Sequence, residues 1–126
     1  MAGEQLIRIV IIEDNKVFRE ALELLLGLRS ELVVVASVSD GEEVVPTCRK
    51  YNPDVALMDY RLPGLDGIEA TRALKQACPD VAVVALTASA NREEMKALRD
   101  AGAFACLTKD QELEEIIDAI HQAAVA

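Results

Sequence analysis

A chain of 126 residues, 52% hydrophobic but only 3% aromatic and without tryptophan, suits one domain with a core of Val, Leu, Ile and Ala; no second domain is expected. A formal charge of −9, with no run among the Lys and Arg residues, argues against direct nucleic-acid binding. Cys48, Cys78 and Cys106 are an odd number without metal-ligand spacing, Met1 to Gln5 is too short and polar for a signal peptide, and no apolar stretch approaches the roughly 20 residues that span a bilayer. A cytoplasmic protein with reduced thiols, no structural zinc and no membrane contact is expected.

Ile7 to Ile12 is a near-continuous apolar run that ends in Glu13-Asp14-Asn15. It reads as a strand covered on both faces, with acids at its C-terminal end. Val17 to Leu28 follows with apolar residues at helical spacing, among them Val17, Phe18, Ala21, Leu22 and Leu25, opposite Arg19, Glu20 and Glu23. This predicts an amphipathic helix with Asp14 or Asn15 as N-cap and Gly27 near its end. Leu32 to Val38 is the second strand. Asp40-x-x-Glu43 has capping-box spacing, but Pro46 lies only a turn beyond, so the second helix is expected to be kinked, or to begin close to Pro46 and be short.

Val55 to Met58 is a buried strand that delivers Asp59 to its end and passes into a loop punctuated by Pro63, Gly64 and Gly67. Asp66-x-x-Glu69 caps a third helix running to about Ala77. Val81 to Leu86 is the fourth strand, ending at Thr87-Ala88-Ser89, and Asn91-x-x-Glu94 caps a fourth helix that Gly102 stops. Phe104 to Leu107, the weakest strand, ends at Thr108-Lys109-Asp110, and Asp110 is expected to cap the last helix. His121, near the end of that helix, reads as a solvated position.

Five strand–helix units with short connections imply an α/β fold: a flavodoxin-like (βα)5 three-layer sandwich with a five-stranded parallel sheet in the order 2-1-3-4-5. Strands one and three then lie side by side at the topological switch point. Glu13, Asp14, Asp59, Thr87 and Lys109 fall at the same edge of the sheet, where ligands bind in open sheets of this kind.

Three carboxylates in one crevice repel one another unless a cation lies between them. Magnesium, a hard ion that takes oxygen ligands and phosphate oxygens, is the natural candidate. Asp14 and Asp59 would ligate it directly, the backbone carbonyl near Arg61 could add a ligand, and Glu13 could act through water. Asp59 can then attack phosphorus to form an acyl phosphate, with the Lys109 ammonium and the Thr87 hydroxyl on the phosphoryl oxygens. No His lies at these strand ends and no Gly-rich phosphate loop follows the first strand, so the phosphoryl group must arrive on a donor.

From about Ile7 to Ala124 the chain resembles the receiver domain of bacterial response regulators. The motifs that carry the resemblance are Ile12-Glu13-Asp14-Asn15, the run from Met58-Asp59 to Leu65-Asp66-Gly67, Leu86-Thr87-Ala88-Ser89 and Leu107-Thr108-Lys109-Asp110. The resemblance implies that Asp59 accepts a phosphoryl group from a phosphohistidine on a sensor histidine kinase. It implies magnesium, or manganese in its place, held by Glu13, Asp14, Asp59 and the Arg61 carbonyl, and phosphoryl contacts from Thr87 and Lys109. It further implies a change that spreads to the face of the fourth helix, fifth strand and fifth helix and acts on an output domain, a downstream protein or a homodimer. Lys109-Asp110, where many receivers have Lys-Pro, is most like receivers with a C-terminal helix-turn-helix domain of the LuxR type. By this reading residues 1–6 are a tail, residues 7–124 are the receiver, and no output domain lies in this chain.

One position departs from the pattern. Receivers usually carry Tyr or Phe three residues before the lysine, at the switch position coupled to Thr87, and here that residue is Cys106. A thiol lacks the ring's volume, and Phe104, read as lying at a different parity on the strand, is not expected to stand in for it. Phosphorylation should survive while coupling weakens or takes another route. The competing reading is a receiver fold that binds partners independently of phosphorylation. Turnover of small phosphate esters is not expected, because phosphatases with an Asp nucleophile generally carry a second Asp two residues on, where this chain has Arg61.

Overall fold

The computed structural model describes residues 6–88 and 91–126. Met1 to Gln5, most of the expected tail, and Ser89 lie outside the described residues. The elements run β1 (Ile7–Ile12), α1 (Lys16–Gly27), β2 (Leu32–Val38), α2 (Val44–Tyr51), β3 (Val55–Asp59), α3 (Gly67–Ala77), β4 (Ala82–Thr87), α4 (Arg92–Ala101), β5 (Ala105–Thr108) and α5 (Leu113–Ala124). The strands form one parallel sheet in the order β2-β1-β3-β4-β5, as the alternation of strand and helix predicts.

Alternation along the central strands divides the core in two. Ile9 and Ile11, Val55 and Leu57, Val84 and Leu86 pack with Leu22 and Leu26 of α1 and Ile116, Ile117 and Ile120 of α5. Val10 and Ile12, Ala56 and Met58, Val83 and Ala85 pack with Val44 and Cys48 of α2, Leu74 of α3 and Leu98 of α4. Each of the large side chains contributes about 1.5–3 kcal/mol by its burial, so the two layers hold the sheet between them. Apolar runs without polar alternation are therefore what this sheet requires.

Several local expectations are resolved or corrected. Of the two candidate caps for α1 it is Asn15 that serves, its side chain accepting from Phe18 N at 2.9 Å, which leaves Asp14 exposed beside it. The Asp40 carboxylate accepts from Glu42 N at 2.7 Å and opens a 3-10 turn, Gly41–Glu43, rather than an α-helix. Helix α2 begins only at Val44, eight residues long, so Pro46 sits in its first turn, where an amide has no partner inside the helix to lose. The strands β4 and β5 begin one residue later than expected, at Ala82 and Ala105, and end at Thr87 and Thr108, where the sequence ends them.

Asp110 does not cap α5. Its carboxylate accepts from the Thr108 hydroxyl instead, and the helix starts two residues later on Glu112, which forms a capping box with Glu115. His121 is not merely solvated either, because its Nε2 lies 2.9 Å from Glu31 Oε2.

Candidate functional site

The site is assembled by strand register. Ile12 pairs with Met58, Asp59 with Leu86 and Thr87 with Thr108, so Glu13, Asp59, Thr87 and Lys109 all emerge at the carboxyl edge of the sheet. Backbone bonds continue the ladder past the strands: Glu13 N donates to Val38 O at 3.0 Å, Tyr60 N to Leu86 O at 2.8 Å and Lys109 N to Thr87 O at 2.8 Å. The side chains are thus presented from rigid backbone.

Asp59 is 5% exposed and Glu13 only 1%. The Lys109 ammonium lies between them, 2.9 Å from Glu13 Oε1 and 3.1 Å from Asp59 Oδ2. Arg61 N donates to Asp59 Oδ1 at 3.3 Å, and Asn15 N to Glu13 Oε2 at 3.0 Å. Burial pushes the Glu13 carboxyl up to about 7; the Lys109 and Asn15 donors oppose the rise, and the Asp59 charge adds to it. Burial alone would lower the Lys109 pKa, but its bond to Glu13 and the charge of Asp59 hold it above its ordinary value.

Glu13, Asp14 and Asp59 bring a carboxylate oxygen each within 4.8 Å of one another, one of them exposed and two buried. Among the described residues the buried Glu13 Oε1 has the Lys109 ammonium 2.9 Å away as its charge partner, a contact short of good hydrogen-bond alignment. Three oxygen ligands with a single cation among them, one ligand under-satisfied, fit a hard divalent ion.

Thr87 is buried, and its hydroxyl donates to Glu94 Oε1 of α4 at 3.5 Å. Cys106 is half-buried on the α2–α4 side of the sheet, and its thiol donates to Met95 O of α4 at 3.6 Å. Both candidate switch residues therefore touch the first turns of α4. Contrary to the expected difference in parity, Phe104 lies two residues from Cys106 and so at the same parity, but it precedes β5 and is 42% exposed, so it does not take the place of the missing ring.

Two residues at the site were read from sequence only as parts of an amphipathic helix. The guanidinium of Arg19 donates to Glu13 O at 2.9 Å, holding the backbone at the end of β1. The ring of Phe18 lies under Lys109, with the ammonium 4.7 Å from its centroid. The signal in the sequence was positional, since both fall within five residues of Asp14 on the element that leaves the site.

Fold and side chains together define a doubly wound α/β domain with a carboxylate pocket at its topological switch point. Comparison with known proteins gives the family: a profile of the response regulator receiver domain matches residues 9–121, and the chain belongs to that family. It is 40% identical over 118 residues, 94% of its length, to the transcriptional regulatory protein DegU of Brevibacillus brevis, and 28% identical over 98% of its length to the nitrate/nitrite response regulator protein NarL of Escherichia coli. It covers 50% and 57% of those two proteins, so the chain spans about half the length of the curated relatives it matches. Among solved structures, the signal receiver domain of the putative response regulator NarL from Mycobacterium tuberculosis superposes with a TM-score of 0.92 at 30% identity, covering 97% of this chain and 98% of that one. A two-component response regulator of the LuxR family from Aurantimonas sp. SI85-9A1 gives 0.91 at 30% identity, covering 96% and 86%. The chain is a receiver domain of the kind found in LuxR-type response regulators of two-component systems.

Proposed function

We propose that this receiver is a phosphorylation-dependent switch in which Asp59 accepts a phosphoryl group from the phosphohistidine of a sensor histidine kinase in the cytoplasm. The observation that carries the reading is the placement of Asp59 at the end of β3, 3.1 Å from the Lys109 ammonium and within 4.8 Å of the Glu13 and Asp14 carboxylates. An Asp59 carboxylate oxygen attacks phosphorus in line as the P–N bond breaks, and the imidazole leaves with the bonding pair. Lys109 and the Thr87 hydroxyl then meet the phosphoryl oxygens. Glu13, Asp14, Asp59 and the Arg61 carbonyl would hold magnesium, or manganese, which supplies charge neutralisation at the oxygens of the transferred group.

The change is read out on the α4–β5–α5 face, through an output domain, a downstream protein or a homodimer. Names such as transcriptional regulatory protein among the relatives support a DNA-binding output. The complete acceptor site favours a switch over a phosphorylation-independent module, and Arg61 at the place of a second catalytic Asp disfavours turnover of small phosphate esters.

Intact mass after incubation with acetyl phosphate tests the reading. One phosphoryl adduct that requires both magnesium and Asp59, lost in Asp59→Ala, is the expected result. No adduct in a correctly folded wild type would overturn it and favour constitutive binding.

A further inference from the structure

We propose that Phe18 is a positioning residue for Lys109, a neutral tether that keeps the ammonium over the pocket when the carboxylates are engaged elsewhere. The proposal rests on the functional reading above. Among the described residues Lys109 has three partners: Glu13 at 2.9 Å, Asp59 at 3.1 Å and the Phe18 ring at 4.7 Å. The proposed chemistry commits the first two to other tasks, since Glu13 faces the cation and Asp59 bonds to phosphorus. Only the ring's attraction for the ammonium is indifferent to both.

The lysine needs such a tether because its backbone alone is fixed. Lys109 N is bonded to Thr87 O, but four methylenes separate that anchor from the ammonium, and each adds rotamers that place the charge outside the pocket. Phe18 is held far more firmly. It is the third residue of α1, its N–H is bonded to the Asn15 cap, and its ring packs against the core layer formed by α1 and α5. An ammonium within about 6 Å of a ring centroid is attracted by the negative face of the π-system, which neither titrates nor ligates metal. Leucine fills similar space but has no such face, so the tether can be removed without emptying the site.

The test compares wild type, Phe18→Leu and Phe18→Trp, each checked for a native amide spectrum. In 13C-labelled protein the Lys109 Cε protons should be shifted upfield by the ring current in wild type and Phe18→Trp, with and without magnesium. In Phe18→Leu the shift should vanish. Phosphorylation by acetyl phosphate should slow about fivefold in Phe18→Leu and return to within about twofold of wild type in Phe18→Trp. Loss of core packing alone would not produce rescue by the bulkier aromatic ring. A Phe18→Leu protein that is phosphorylated at the wild-type rate, or a wild type without the upfield shift, overturns the proposal. A wild type that takes up no phosphoryl group overturns the functional reading, while the shift measurement, which needs no phosphoryl group, still decides whether Phe18 holds Lys109.

Discussion

The Lys109 ammonium lies 3.1 Å from Asp59 Oδ2, joining the last strand of the sheet to the third across the end of β4. It is the cation that offsets three clustered carboxylates, two of them buried. Removing one partner from a buried ion pair costs about 3–5 kcal/mol when the remaining charge has no escape. Here Glu13, with its carboxyl already pushed up to about 7, escapes by taking up a proton. Lys109→Ala should therefore lose only about 1–2 kcal/mol at neutral pH in urea unfolding without metal, with a larger loss at pH 8 than at pH 6. A loss of the same size at both pH values would show that Glu13 does not buffer the change.

The same carboxyl sets a pH dependence in the metal-free protein. Its pKa is raised from the ordinary 4.5 to about 7, so between these values the folded chain holds a proton that the unfolded chain releases. The contribution to stability is complete below pH 4.5 and is lost as pH rises through about 7. Magnesium needs the carboxylate, so its affinity should rise with pH up to about 7 and its binding should release protons below that. Calorimetry in buffers of different ionisation enthalpy measures the release directly. Affinity and proton release that do not change between about pH 6 and pH 8 would remove Glu13 from the ligand set.

What could be read from the sequence was whatever repeats along the chain. Apolar runs ending in Glu13, Asp59, Thr87 and Lys109 gave both the sheet and the edge where these residues meet, because strand ends in a parallel sheet share one side. Contacts between distant elements left no such pattern. Phe18 looked like one more apolar residue of α1, and nothing local says that a lysine 91 positions later rests on its ring. His121 and Glu31 meet across 90 residues by the same accident of packing. Asp110 failed as a cap because the Thr108 hydroxyl competes for its carboxylate, a local rivalry that spacing rules do not rank. Ser89, part of the third motif, lies outside the described residues.

Gly67 shows how closely the loop after Asp59 is folded back. A Cβ there would lie 2.7 Å from Tyr60 Cα, 2.8 Å from Tyr60 O and 2.9 Å from Asp59 O, all backbone atoms. The Gly67 amide itself donates to Tyr60 O at 2.7 Å. Gly67→Ala has to push the start of α3 away from the backbone of Asp59 and Tyr60, beside the proposed phosphoacceptor. We expect a loss of about 1–3 kcal/mol in denaturant unfolding, the usual cost of overpacking, together with weaker magnesium binding. Unchanged stability would mean that the loop has room the packing does not show.

The three thiols should differ sharply in reactivity. Cys48 is 1% exposed between α2 and the sheet, and burial, with Cys78 nearby, pushes its thiol up to about 12. Burial also raises Cys106, partly opposed by Arg99, and Cys106 remains only half-buried. The thiolate is the nucleophile, so at pH 8 iodoacetamide should label Cys48 last, and only as fast as the protein opens. The sign of the linked stability is fixed by the direction of the shift: the folded state holds the proton, so stability falls as pH rises above about 9 toward 12. Cys48→Ala should flatten that alkaline decline at the cost of about 1 kcal/mol of packing near neutral pH. Peptide mapping of a labelling time course checks the order, and early labelling of Cys48 in folded protein would mean that α2 opens far more readily than its packing implies.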